Sequence, residues 1–156
     1  MANISDFKAQ LTGGGARANQ FRVELTFPSY VALGVVAGQQ AQFLCKSAQL
    51  PASTVENFGV QYRGRAVNFA GERSFAPWSI QVYNDTNFNI RNAMEQWSNA
   101  INARERNVRD LRNYKSSATV RQYGKEGNIL REYRFEGIFP ASVSAIDVDW
   151  SNQDSI

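Results

Sequence analysis

From Asn19 onward apolar and polar positions alternate with a period of two. Phe21, Val23, Leu25 and Phe27 are separated by Arg22, Glu24 and Thr26, the pattern of a strand with one buried face, and Pro28 ends it. Residues 29–42 are mixed, with Gly34 and Gly38 interrupting apolar stretches, and stay unassigned as a loop. Residues 43–48 then predict a second strand, stopped by Leu50-Pro51. The clearest pair follows: residues 55–62 and 65–75 predict a long hairpin around Arg63-Gly64. One face of it carries Phe58, Val60, Tyr62, Val67 and Phe69, which are expected to pack inward on the core. The other face carries Asn57, Gly59, Gln61, Ala66, Asn68 and Ala70, small or polar and almost free of charge until Glu72 near its end.

Trp78, Ile80 and Val82 suggest another strand, after which Asn84-Asp85-Thr86 offers caps for a helix. In that helix Ile90, Ala93, Met94, Trp97 and Ile101 recur at three- and four-residue spacing, a single apolar stripe expected to lie across a sheet as core and not around a cofactor. Residues 118–123 and 129–135 predict a second hairpin around Gly124-Lys125-Glu126-Gly127-Asn128. Gly137-Ile138-Phe139-Pro140 and an alternating run from Val143 to Trp150 close the chain. Six or seven strands and one helix predict a mainly β (α+β) fold, an antiparallel sandwich or barrel with one flanking α-helix.

The chain has 156 residues, 43% of them hydrophobic, enough for one domain with a core of its own. No repeat or linker divides it, so residues 1–18, polar and then glycine-rich at Gly13-Gly14-Gly15, read as a flexible arm and residues 19–156 as one domain. Those glycines lack a following Gly-Lys-Ser/Thr, so they do not form a phosphate loop. No apolar run reaches the length of a membrane helix, and the start lacks the layout of a signal peptide, so a soluble chain without a membrane anchor, cytoplasmic at synthesis, is expected.

Candidate chemistry is sparse. Histidine is absent, which removes Ser-His and Cys-His catalysis, His-ligated zinc and the usual neutral-pH proton shuttle. Cys45 is the single cysteine and sits in an alternating stretch, as a small buried hydrophobe would. Asp147 and Asp149 would share a face if they lay on a strand, but no base or ligand set accompanies them. No catalytic residue, metal site or cofactor is therefore expected. Arg104, Arg106, Arg109, Arg112 and Lys115 are interleaved with Glu105 and Asp110, a solvated or interface segment in preference to a phosphate patch. With a net charge of +3 and ten phenylalanines, and with mixtures such as Tyr62-Arg63-Gly64-Arg65, a nucleic-acid-binding β-barrel module is the alternative of another class.

Several segments, in order and spacing, carry a resemblance: Phe43-Leu44-Cys45-Lys46-Ser47-Ala48-Gln49-Leu50-Pro51, Ala70-Gly71-Glu72-Arg73-Ser74-Phe75 leading to Trp78, Val82-Tyr83-Asn84-Asp85, residues 115–123, and Gly137-Ile138-Phe139-Pro140. From about Asn19 to Asn152 the chain resembles the major tail tube proteins of contractile-tailed phages, relatives of the type VI secretion tube protein. The resemblance implies a structural virion protein of the phage tail, assembled in the host cytoplasm. It further implies six-subunit rings stacked into a tube whose lumen conducts DNA during ejection, with tail sheath, baseplate and tail-terminator proteins as partners. The tube of a bacterial contractile injection or type VI secretion system is the neighbouring alternative.

On this resemblance the long hairpin contributes to the inner wall, with Asn57, Gly59, Gln61, Ala66, Asn68 and Ala70 facing the lumen. Contacts between subunits or rings fall to Arg63, Arg65 and the basic segment 104–115. Family members usually continue past Asp149-Trp150 into another long strand, whereas this chain stops at Ile156, so either the terminus is missing or this member closes its barrel differently.

Overall fold

The computed structural model describes residues 3–103 and 113–151. Among them the elements run, in order, α1 (Ile4–Gln10), a 3-10 turn (Thr12–Gly14), β1 (Phe21–Leu25), α2 (Gly34–Leu44), β2 (Cys45–Ala48), β3 (Ser53–Tyr62), β4 (Arg65–Phe75), β5 (Ile80–Val82), α3 (Asn89–Ile101), β6 (Ser116–Tyr123) and β7 (Ile129–Ile138). Every strand pairing is antiparallel. The strands form three separate sheets, β1-β6-β7, β2-β5 and β3-β4, so the mainly β, α+β class holds while the described residues close no barrel.

The core lies on one face of the β1-β6-β7 sheet. Val23 and Leu25 from β1 and Ala118 and Val120 from β6 point to this face, in the register Val23↔Val120 and Leu25↔Ala118. Ala37 and Ala41 of α2 and Ile90, Ala93 and Trp97 of α3 complete the buried cluster. Met94 and Ile101 of the expected stripe are partly buried against it. Trp97 sets its ring edge-on to Phe27 at 5.6 Å and donates its indole N–H to the Tyr114 carbonyl at 2.7 Å, so its polar edge is satisfied inside the core. Trp78 stacks on Phe135 at 4.5 Å and donates to the Gln49 carbonyl, tying the β2-β5 sheet to β7.

The N-cap position of α3 falls on Phe88, with φ of 54° and no side-chain cap, and not on Asn84-Asp85-Thr86; of these three, Asp85 reaches the first residue of the helix. Its carboxylate accepts from the Asn89 backbone N–H at 3.0 Å, from the Asn89 side chain at 3.1 Å, and from Gln40 of α2 at 3.4 Å. One carboxylate thus both starts α3 and joins it to α2.

Helix α2 occupies the stretch left as a loop, and it takes the first two residues of the strand expected at 43–48. Its glycines are not helix breakers here but points of close approach. A β-carbon on Gly38 would stand 2.7 Å from the Leu25 carbonyl oxygen, and one on Gly34 would stand 2.6 Å from the Phe27 β-carbon. Gly34, Ala37, Gly38 and Ala41 form the small-residue face by which α2 lies on β1 and its extension.

Two further segments complete the description. The arm contains the helix α1, capped by the Asn3 side chain and with no buried residue, and Arg17 ties its far end to the sheet by accepting a hydrogen bond from Gln122. The run from Val143 to Trp150 forms no strand despite its alternation, and among the described residues no strand pairs with it. Asp147 and Asp149 are therefore not a carboxylate pair on one strand face. The Asp149 carboxylate instead accepts from the Ser151 N–H and hydroxyl, which hold its pKa below the ordinary value.

Candidate assembly surface

The β3-β4 hairpin is the longest ladder of the molecule and the one that the subunit does not use for its own core. It opens with a two-residue turn in which Arg63 and Gly64 have φ of 49° and 78°, the left-handed pair of a type I′ turn that matches the twist of the strands. The register Phe58↔Phe69, Val60↔Val67 and Tyr62↔Arg65 puts the apolar set on one face, as expected from the alternation. The register Asn57↔Ala70, Gly59↔Asn68 and Gln61↔Ala66 brings all six predicted lumen residues together on the other.

The packing differs from the expectation that the apolar face meets the subunit core. Every residue of β3 is exposed, and in β4 only Gly71 is partly covered. Phe58 and Phe69 stack on each other at 5.7 Å yet keep about half their surface in water, at 54% and 49% exposure. The physical reason is that α2 and α3 already fill the core face of the three-stranded sheet, so no room remains there for a second layer. Among the described residues no strand pairs with either long edge of the hairpin, since its sheet has two strands. A two-stranded ribbon with an open apolar face is marginal in water, which makes this element incomplete by itself.

Other exposed apolar side chains point the same way: Ile4, Phe7 and Leu11 at helical spacing along the N-terminal segment, Val35 and Phe43 on the outer side of α2, and Phe75 at the base of the hairpin. Periodicity alone missed the α1 stripe because the segment read as polar. The signal was there in Ile4, Phe7 and Leu11 at intervals of three and four.

Of the remaining predicted contacts, Arg63 lies over the Tyr62 ring at 5.4 Å at the hairpin tip and Arg65 is exposed beside it. Lys115 is exposed with its ammonium 5.7 Å from the Tyr114 ring centre. Arg104, Arg106, Arg109 and Arg112 lie outside the described residues. Cys45 is half-buried at the edge of the core, and burial raises its thiol pKa. No described helix is long and apolar enough to cross a membrane.

These features define a β-rich domain that carries an exposed hairpin with one apolar face. Residues 16–156 match the family described as phage tail tube protein, and the chain belongs to that family. Over 148 residues it is 30% identical to tail tube protein gp19 of Enterobacteria phage T4, covering 93% of this chain and 85% of the phage T4 protein. The gp19 of Enterobacteria phage T6 matches at the same identity and coverage. The tail tube protein of Serratia phage KSP90 is 26% identical over 162 residues, covering 99% of this chain and 89% of that protein. The chain is thus a structural protein of the phage tail, a virion component and not an enzyme.

Proposed function

We propose that copies of this chain join side by side into closed six-subunit rings, that the rings stack into a hollow tube, and that the tube conducts the phage genome during ejection. The observation that carries this reading is the β3-β4 hairpin, with an apolar face and two strand edges left without a partner in its own subunit. Each edge can extend a sheet of the next copy, and a heterologous contact of this kind closes when the rotation between copies divides the circle. The apolar face, with Phe58, Val60, Val67 and Phe69, is then covered by the neighbouring subunit.

The opposite face, with Asn57, Gly59, Gln61, Ala66, Asn68 and Ala70, lines the lumen. These six positions hold no lysine or arginine, and the one arginine on their face, Arg73 opposite Val55, lies at the base of the hairpin beyond the irregularity; each cation that met a phosphate would add salt-dependent affinity, multiplied by every copy along the tube. Arg63, Arg65 and Lys115, together with the basic residues of segment 104–115, make contacts between subunits or rings. The arm at residues 1–18 reaches a neighbouring ring through its own apolar stripe. Sheath, baseplate and tail-terminator proteins complete the tail around and at the ends of this tube.

Negative-stain electron microscopy of Phe58→Asp with Val67→Asp tests the reading. These substitutions lie on an exposed face and leave the monomer's circular dichroism and melting curve unchanged. The parent gives stacked rings and the variant gives free subunits. Stacked rings from the doubly charged hairpin would refute it.

A further inference from the structure

The face of the β1-β6-β7 sheet opposite the core carries a second polar wall, and its charges are arranged in cross-strand pairs. The registers Arg22↔Arg121↔Glu132, Glu24↔Thr119↔Arg134 and Ser117↔Glu136 place three arginines and three glutamates on this one face. Arg121, on the central strand, donates its Nη1 to Glu24 on one neighbouring strand and its Nε to Glu132 on the other, the latter at 2.5 Å. These hydrogen bonds and the nearby carboxylates raise its pKa further and hold the guanidinium in one orientation. Arg134 meets Glu136 at 3.3 Å. Arg22, at the sheet's edge, has no carboxylate partner among the described residues.

The two sides of this sheet are unequal in thickness. Helices α2 and α3 cover one face, and each helix adds a layer of about 10 Å. The charged face is the side of this sheet that the helices leave bare.

We infer that this face forms part of the lumen wall and that Glu24 and Glu132 serve as masks: they occupy the guanidinium of Arg121 so that it does not grip the phosphates of passing double-stranded DNA. The inference rests on the tube reading above and deepens it, since it assigns to two carboxylates the task that the six central positions of the hairpin's polar face meet by carrying no cation. A bare arginine on the central strand would act as a brake in every copy, whereas the unpaired Arg22 stands at the sheet's edge. A paired one presents a fixed, internally neutralised dipole.

Two measurements test it. In the first, duplex binding is followed by fluorescence anisotropy with a short labelled DNA and free subunits of parent, E24Q/E132Q and E24Q/E132Q/R121Q. The pairs are partly exposed and worth little to stability, so the variants fold; E132Q alone serves as the milder form and is checked by its melting curve. The double variant is expected to bind at least threefold tighter than the parent at 50 mM salt. That gain is expected to shrink by a factor of about 3 to 4 on going to 200 mM, as one added phosphate contact requires. Removing Arg121 as well is expected to cancel it. No gain in the double variant, or a gain that survives R121Q, overturns the masking role.

In the second measurement Arg134→Cys is treated in assembled tubes with a small maleimide and with a bulky polymer-linked maleimide, the parent with Cys45 serving as background. Labelling by the small reagent alone places the face in the lumen. Equal labelling by both places it outside and overturns the assignment. Parent preparations that form no tubes would instead sink the ring reading on which the inference rests.

Discussion

Trp97→Ala removes the side chain that holds the helical layer to the sheet. Trp97 is 2% exposed, lies edge-on to Phe27 and hydrogen-bonds the Tyr114 carbonyl, so truncation takes away packing, an aromatic pair and a buried donor together. Truncation of a buried Trp costs about 3–5 kcal/mol because the surroundings collapse only in part. The stranded Tyr114 carbonyl adds about 1 kcal/mol. Against a total stability of about 5–15 kcal/mol this is a large fraction. At about 2–4 °C per kcal/mol for a chain of this size, a loss of about 4–6 kcal/mol lowers Tm by about 8–24 °C. Trp97→Phe keeps the ring beside Phe27 but loses the N–H, and is expected to cost about 1–2 kcal/mol. Differential scanning calorimetry of the three proteins reads the series directly. A Trp97→Ala protein melting within about 2 °C of the parent would refute the assignment of this residue to the centre of the core.

The other predictions follow from single contacts. Gly38→Ala drives a methyl against the Leu25 carbonyl and, despite the better helix propensity of Ala, is expected to lower stability by about 1–3 kcal/mol in urea unfolding, whereas a neutral or stabilising result would mean that α2 does not rest on β1. Asp85→Ala removes the acceptor that starts α3 and binds Gln40, and is expected to cost about 0.5–2 kcal/mol by the same assay. Arg63→Asn suits the left-handed turn position better than Arg and is expected to slow amide exchange along β3 and β4 with no change in Tm of the core; unchanged exchange would count against the turn's control of the hairpin. Asn68→Arg is expected to permit assembly but to slow DNA ejection at low ionic strength, with the delay shrinking as salt rises; ejection at the parent's rate from intact low-salt particles would remove this residue from the lumen.

Where one physical signal acted alone, the sequence was a good guide to the fold. Alternation identified β1, β6 and β7 because each has one face on a core and one in water, and the stripe from Ile90 to Ile101 identified α3 because its other side is solvated. Alternation also sorted the two faces of the β3-β4 hairpin correctly, but it reports that a face is apolar and not what covers it. That distinction decided the outcome here, since Phe58 and Val60 find no cover in their own subunit. Helix α2 was illegible for the opposite reason: it is apolar on several sides, and Gly34 and Gly38, which normally argue against a helix, are required by the approach to Phe27 and Leu25. The recurrence of Gly34, Ala37, Gly38 and Ala41 was the signal available for it. Residues 143–150 show the converse, alternation without a strand, because a ladder needs a partner and none of the described strands pairs with them. The masked arginine of the central strand was invisible to any count of charges, since it depends on which residues the register sets opposite one another.

The central claim is that the hairpin left bare in the single subunit is completed by other copies, and a cryo-electron microscopy reconstruction of assembled tubes measures this directly. The account predicts six copies in each ring, at least one edge of β3-β4 hydrogen-bonded to a strand of the adjacent copy, and Phe58 and Val60 buried beneath it. A reconstruction in which both hairpin edges remain free and those side chains stay in solvent would contradict it.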